Sequence, residues 1–413
     1  MKKSILLLSF AATFLTMLAQ NQTPYSKRMA DSQMARSGVI NRWDYPNGLF
    51  VESVLKVYDK YGDAQYYNYA LSHANATVNA AGKIGAGYNY STFNIDYICP
   101  GMFLLRINEL AGNSNPKFKI ALDTLRKQIQ NQPRNTLGGF WHKKVYPNQM
   151  WLDGIFMGSR FYAKYDLSFN GGQNLDDVIN QFALIHAKTY DHAKQLNYHA
   201  WAENTADPNA FWARQENPFI GCSHEFWSRG NGWYFAALAD VLEIIPANHP
   251  RRAEMIAIIN DVAAGIKRWQ EPNTGLWYQL TEYNSTVCVN GKCNYLEGSA
   301  SSMFTYALLK AIRLGFLSSD EYLETGKKAY QGIIANLIST DTNGLISLNN
   351  ICRSAGLGPA NSPNRDGSIV YYLTGGDAGQ IVSNDLKGVG PFIMASIEYE
   401  TLMENQTGGI KKK

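Results

Sequence analysis

An all-α fold, an (α/α)6 barrel of six helical hairpins in two concentric rings, is predicted by three observations. Apolar helical patterns alternate with amphipathic ones at least five times along the chain. A helix that is hydrophobic all round belongs inside, and one with a charged face belongs outside, so an inner and an outer ring satisfy both. Similar Gly/aromatic loops punctuate the series: Gly-Gly-Phe-Trp (138–141), Ser-Arg-Gly-Asn-Gly-Trp (228–233), Thr-Gly-Leu-Trp (274–277) and Asn-Gly-Leu-Ile (343–346). The mean interval between them, roughly 60–70 residues, is that of an array of helical hairpins, about six of which fit the chain. An open solenoid would need polar capping repeats at its ends, and none is visible.

The chain opens Met-Lys-Lys, followed by a short apolar stretch and Ala19 before polar residues. This describes a secretory signal peptide over residues 1–20, leaving 21–413 as a single catalytic domain. The apolar run is too short for a membrane span, and no later stretch looks transmembrane. The expectation is an exported protein, with the periplasm favoured and no span in the mature chain. A net charge of +4 gives no support for nucleic-acid binding. Charged residues make up 17% of the chain and aromatics 13%, with 35 glycines, which suits an enzyme with an aromatic-lined cleft. Of five cysteines, Cys288 and Cys293 flank an Asn-Gly turn. They form either a hairpin disulfide or two free thiols. No cysteine spacing suggests zinc.

The helices follow in order. Pro46–Tyr61 carries Leu49, Val51, Val54, Leu55, Val57 and Tyr58 at helical spacing. Gln65–Ala81, Asp96–Leu110 and the more charged Lys117–Gln130 come next. Trp151–Tyr165 is nearly all apolar or small, and Leu175–Leu196 is amphipathic. The alternation continues through Gly232–Ile245, Arg251–Trp269, Gly298–Leu314 and Ser319–Ile338, and Gly388–Leu402 closes it. Ser368-Ile-Val-Tyr-Tyr-Leu and Val287–Tyr295 are the best short β pieces.

In such a fold the Gly/Trp loops gather at one end, as a pocket walled by aromatic rings with a few polar groups. The acid that stands out is Asp153, set in an apolar run after a polar, aromatic loop that includes Trp141 and His142. Its carboxylate is open to two readings. It starts a helix by capping backbone N–H groups, or it lines the cavity as a desolvated proton donor. Further candidate segments carry Asp96, then His199, Trp201 and Glu203, and then Trp227, Arg229, Asn231 and Trp233.

These blocks taken in order are Trp-His-Lys…Tyr-Pro…Gln-Met-Trp-Leu-Asp-Gly, Phe-Trp-Ser-Arg-Gly-Asn-Gly-Trp, Asn294-Tyr-Leu-Glu-Gly-Ser-Ala and Lys387-Gly-Val-Gly-Pro-Phe. Together they resemble the unsaturated glucuronyl and rhamnogalacturonyl hydrolases, glycoside hydrolase families 88 and 105, with the family-105 branch fitting better. The resemblance spans about Trp43 to Glu400, and that family's fold is also an (α/α)6 barrel. It implies an oligosaccharide substrate left by a polysaccharide lyase, with a C4=C5 double bond in its terminal uronic acid, that is unsaturated galacturonyl-rhamnose from pectic rhamnogalacturonan. The double bond is hydrated, without a metal or organic cofactor. By the same match Asp153 is the acid/base, Asp96 a second site carboxylate, and His199, Trp227 and Arg229 substrate contacts. Trp141, His142 and Trp233 complete the candidate substrate-binding set. Arg229 suits a uronate because a guanidinium fork fits a carboxylate. Its other reading is a loop-bracing salt bridge, that of His199 a structural histidine, and that of Asp96 a helix N-cap. Ala202 stands where many relatives carry an acid, which leaves Glu203 or Asn204 to support His199. Other readings are an unsaturated β-glucuronyl hydrolase, an ordinary inverting glycosidase with two acids, or a non-catalytic sugar-binding protein. The oligomeric expectation is a monomer or weak dimer.

Overall fold

A computed structural model of the protein describes residues 23–410; the expected signal peptide lies outside them. Six helix pairs close into a ring. The inner helices are α2 (Tyr45–Tyr61), α4 (Gly101–Leu110), α6 (Arg160–Asn170), α8 (Ser228–Ile244), α10 (Gly298–Arg313) and α13 (Leu386–Ile410). Their outer partners are α3 (Ala64–Thr77), α5 (Pro116–Gln130), α7 (Leu175–Thr189), α9 (Arg252–Arg268), α11 (Ser319–Asn336) and, for α13, the N-terminal α1 (Tyr25–Ser37). Each inner helix packs on the next, and α13 returns to α2. Ser26 and Tyr61 both hydrogen-bond Glu400, at 2.6 Å and 2.7 Å, so α1, α2 and α13 meet at one seam. A closed ring has no terminal faces to cap, which is how the chain dispenses with capping repeats.

Burial separates the two rings as the alternation requires. Every residue of Ser228–Leu242 in α8 and of Gly298–Ala311 in α10 is buried. The outer α5 buries only one stripe, including Phe118, Leu122, Leu125 and Ile129.

Several expected boundaries move. The helix expected over Asp96–Leu110 divides at Pro100 into a 3-10 turn, Ile95–Ile98, and α4. Proline lacks the amide donor that would carry the hydrogen-bond ladder through this point. The approach to α6 is a short turn, Leu152–Gly154, and a π-helical stretch, Ile155–Ser159. The outer α7 stops at Thr189, and its expected last turns become a small hairpin. Ser368–Leu373 is not a strand. It forms the short helix α12 (Ile369–Thr374), started by Ser368, whose Oγ accepts the Tyr371 N–H at 3.2 Å. The Val287–Tyr295 piece is a hairpin, and Cys288 and Cys293 are bonded across it. Cys99, Cys222 and Cys352 are free and buried. Among the described residues no helix is long and apolar enough to cross a membrane.

Candidate active site

The first turns of the inner helices meet at one end of the barrel. Tyr45 opens α2, Asp96 lies in the 3-10 turn ahead of α4, and Asp153 in the short turn ahead of α6. Arg229 is the second residue of α8, Ser299 of α10 and Lys387 of α13. Tyr45 sits among the charges of Asp96, Arg229, Asp153 and Asp385. Converging helix N-termini direct free N–H groups and partial positive charge into one space, which favours an anionic occupant.

A two-stranded ladder positions Asp153. Strand β1 (Gln149–Trp151) runs antiparallel to β2 (Ala200–Ala202), with Trp151 opposite Ala200. The Leu152 N–H then donates to the His199 carbonyl at 3.0 Å. One residue further on, Asp153 Oδ2 lies 3.0 Å from His199 Nε2. The capping reading of Asp153 fails: the residue before the turn is Trp151, no side chain caps it, and the carboxylate faces the histidine. His199 is fully buried, 4.6 Å from the Trp227 ring and edge-on to Trp151. Its Nδ1 lies 2.7 Å from the Tyr372 hydroxyl.

This line of Asp153, His199 and Tyr372 serves either protonation state of the acid. With Asp153 ionised, neutral His199 donates from Nε2 and accepts the Tyr372 O–H at Nδ1. With Asp153 protonated, the acid donates to Nε2, and Nδ1–H donates to the tyrosine oxygen. Burial pushes the Tyr372 phenol well above its ordinary range, so it keeps its proton throughout. Passing between the two arrangements moves the imidazole proton from one ring nitrogen to the other and reverses both hydrogen bonds, so the line keeps a partner on the acid in each state.

Asp96 is held differently. Its Oδ2 is 2.8 Å from Lys143 Nζ and its Oδ1 is 3.3 Å from His142 Nε2. Burial alone would raise this carboxyl, but Lys143 and His142 outweigh it and hold it well below the usual carboxylate range. The local cap is Asn94, whose Oδ1 accepts the Asp96 N–H at 3.0 Å, so the capping reading of Asp96 fails too. His142 stacks on Trp151 with ring centroids 4.5 Å apart, which links the Asp96 and Asp153 sides of the site.

Arg229 is 1% exposed and lies 5.1 Å over the Trp227 ring. Its Nη1 donates to the Cys352 carbonyl at 2.6 Å and to Ser299 at 3.2 Å. Among the described residues no carboxylate pairs with it directly, and none accepts from its Nε or Nη2. Arg229 thus braces the Cys352 segment through a carbonyl and not through a salt bridge, and a buried guanidinium with two idle donors is costly.

The remaining candidates divide. Trp141 is half-buried in the His142 loop, outside the ring stack, with its indole N–H unpartnered. Trp233 packs against Phe156 and edge-on beneath Tyr45, as a wall for the site and not its surface. Glu203 does not support His199: it bonds the Thr136 amide and hydroxyl, while Asn204 caps the following turn. Tyr372 takes the place expected of Glu203, 173 positions from its histidine. Tyr45 and Lys143 join the site although neither was singled out from the sequence. Lys143 was within reach, standing in the Trp-His-Lys block next to His142. Among the described residues no group of three or more His, Cys, Asp or Glu forms a metal site.

The sequence pattern of Glycosyl Hydrolase Family 88 matches residues 23–403. The chain belongs to that family. Within the group it is 40% identical to a family 105 glycoside hydrolase of C. acetobutylicum ATCC 824, a solved structure. The likeness covers 92% of this chain and 100% of that one, with a TM-score of 0.83. "Protein Atu3128" of Agrobacterium fabrum is 36% identical over 245 residues, 59% of this chain and 97% of that protein. An unsaturated 3S-rhamnoglycuronyl hydrolase of Formosa agariphila is 25% identical over 185 residues, 44% of this chain and 45% of that protein. Membership of families 88 and 105 makes this chain a glycosidase with a six-hairpin helical barrel.

Proposed function

We propose that the protein removes an unsaturated (C4=C5) uronic acid from the non-reducing end of lyase-generated oligosaccharides, with unsaturated galacturonyl-rhamnose of pectic origin as the substrate. One observation carries the reading: of the three carboxyl groups gathered around Tyr45, Asp96 and Asp385 each bind a lysine, and Asp153 alone faces the His199–Tyr372 line instead. Both oxygens of Asp96 are occupied, by Lys143 and His142. An inverting glycosidase needs a second carboxylate free to activate water, and Asp96 is poorly placed to do so. Hydration of a vinyl ether needs one carboxyl used twice.

In the proposed reaction the uronate carboxylate sits on Arg229 and the convergent helix N-termini. Asp153 delivers its proton to C4, and positive charge develops at C5 and the ring oxygen. Water adds at C5 and its proton passes to the Asp153 carboxylate, restoring the acid. The resulting hemiketal breaks its C5–ring oxygen bond to give a C5 ketone. C1 is then a hemiacetal, which collapses to an aldehyde and releases the aglycone as an alcohol. His199 and Tyr372 hold the acid throughout.

The test is ultraviolet absorbance of the double bond during incubation with lyase-generated rhamnogalacturonan oligosaccharides. Decay of absorbance with release of the aglycone is the expected result. Decay only on unsaturated glucuronyl oligosaccharides would move the substrate, and sugar release from saturated substrates with no decay would sink hydration. Tyr372→Phe is expected to lower kcat roughly 5- to 20-fold with a smaller change in KM, the size of one lost buried hydrogen bond. An unchanged kcat would remove Tyr372 from the proton line.

The lysines and short apolar run of residues 1–20 support export, and short acidic oligosaccharides as substrates support the periplasm. The seam joining α1 to α13 supports one catalytic domain over 21–413.

A further inference from the structure

Beside the Asp96–Lys143 pair lies a second, more open groove of about 490 Å³. The 91–97 segment and the 142–145 loop frame it, held together by Lys144 N–H to the Thr92 carbonyl at 3.1 Å and Ile95 N–H to the His142 carbonyl at 3.1 Å. Its lining includes Asn94, Tyr97, Lys143, Lys144 and Val145, and no acid. Lys143 faces both spaces, since its ammonium is bound to Asp96 in the catalytic pocket. Lys144 is exposed and has no anionic partner among the described residues. Asn94 commits its oxygen to the Asp96 N–H, which leaves its NH₂ free to donate. The Tyr97 hydroxyl likewise has no hydrogen-bond partner among the described residues. The hydroxyls of Ser91 and Thr92 are already spent on Asn89. The groove therefore offers an unpaired ammonium and idle donors next to the reacting sugar, with no acid in its wall to repel a negative group.

We infer that this groove is an aglycone subsite that recognises an anionic group on the sugars released by the reaction, with Lys144 as its charge-reading residue. The inference rests on the reading given under the proposed function. A sulfate on the sugar next to the cleaved bond and a uronate one sugar further along present the same chemistry to the groove.

Three unsaturated substrates separate these cases: a uronyl-rhamnose disaccharide with a neutral aglycone, the same disaccharide carrying a 3-sulfate on rhamnose, and a tetrasaccharide whose third sugar is a uronate. The quantity read is kcat/KM for each anionic substrate divided by kcat/KM for the neutral one. The wild type is expected to prefer an anionic substrate, and which one identifies the group recognised. Lys144→Ala should lower that ratio roughly three- to fivefold, the reach of one exposed ion pair. Added salt should lower it too, and Lys144→Arg should retain it. No preference in the wild type, or a preference that Lys144→Ala leaves intact, overturns the subsite while hydration stands. Consumption of none of the three overturns the hydration reading, and the subsite with it.

Discussion

Asp153→Asn should lower turnover of the unsaturated substrate by roughly 10²- to 10⁴-fold, the range for loss of a positioned general acid. Asparagine matches the carboxyl in size and still reaches His199, so the pocket keeps its shape. It has no proton acidic enough for an alkene carbon and no base to take one back from water. Both halves of the cycle fail together, so no second residue rescues the reaction. Binding should survive, because the proposed seat for the uronate, Arg229 and the convergent helix N-termini, is not touched by the substitution. The measurement pairs the absorbance assay with calorimetric titration of the inactive variant by an unsaturated disaccharide. A variant within tenfold of wild-type kcat would remove Asp153 from the chemistry. A variant that neither binds nor turns over would make Asp153 a structural residue.

The reasons the site was partly legible are local. Asp153 and His199 announce themselves because each sits in a short block crowded with aromatics, and a single carboxylate in an apolar run demands an explanation. Arg229 is legible in the same way, beside Trp227. Tyr372 is different. Its segment, Ile-Val-Tyr-Tyr-Leu, is rich in β-branched and aromatic residues and reads as strand by propensity. Yet Ser368 caps it as a helix, and only the closed ring brings its hydroxyl to His199. Glu203 had the better sequence claim to that histidine, four residues away, but it turns out to Thr136. The inner helices were clear from their all-round apolarity. The π-helical stretch after Asp153 left no trace in the periodicity, because Ile155–Ser159 is buried on every side. The N-terminal α1 was missed because few of its residues are apolar; its role is to complete the sixth pair with α13.

The largest stability effect is expected from Arg160→Met, further down the barrel bore. Arg160 on α6 binds Glu52 of α2, and its Nε lies 2.6 Å from Asp240 Oδ2 of α8. Asp240 Oδ1 also receives Lys310 Nζ of α10 and the Tyr306 hydroxyl, each at 2.6 Å. Four of the six inner helices are thus tied by side chains that are almost wholly buried. A buried network of this kind need not stabilise more than apolar packing would, but removing one cation strands its partners, at a cost of about 3–5 kcal/mol. Glu52 suffers most, since among the described residues Arg160 is its one ion-pair partner and its second oxygen has none. Asp240 keeps Lys310 and Tyr306. Denaturant unfolding should show the loss, and Glu52→Gln added to Arg160→Met should recover part of it, because the stranded charge is gone. A loss below about 1 kcal/mol would mean that water already carries these charges. The acid limb provides an independent check. Burial alone would raise the Asp240 carboxyl, but Lys310 and Arg160 outweigh it and hold it well below the usual range. A depressed folded-state pKa contributes stability that is present above the unfolded value and lost as pH falls through the folded one. Wild-type stability should therefore fall as pH drops below about 4, the unfolded carboxylate range. In Arg160→Met that limb should be shallower, because Asp240 is then less depressed and has less stability to lose.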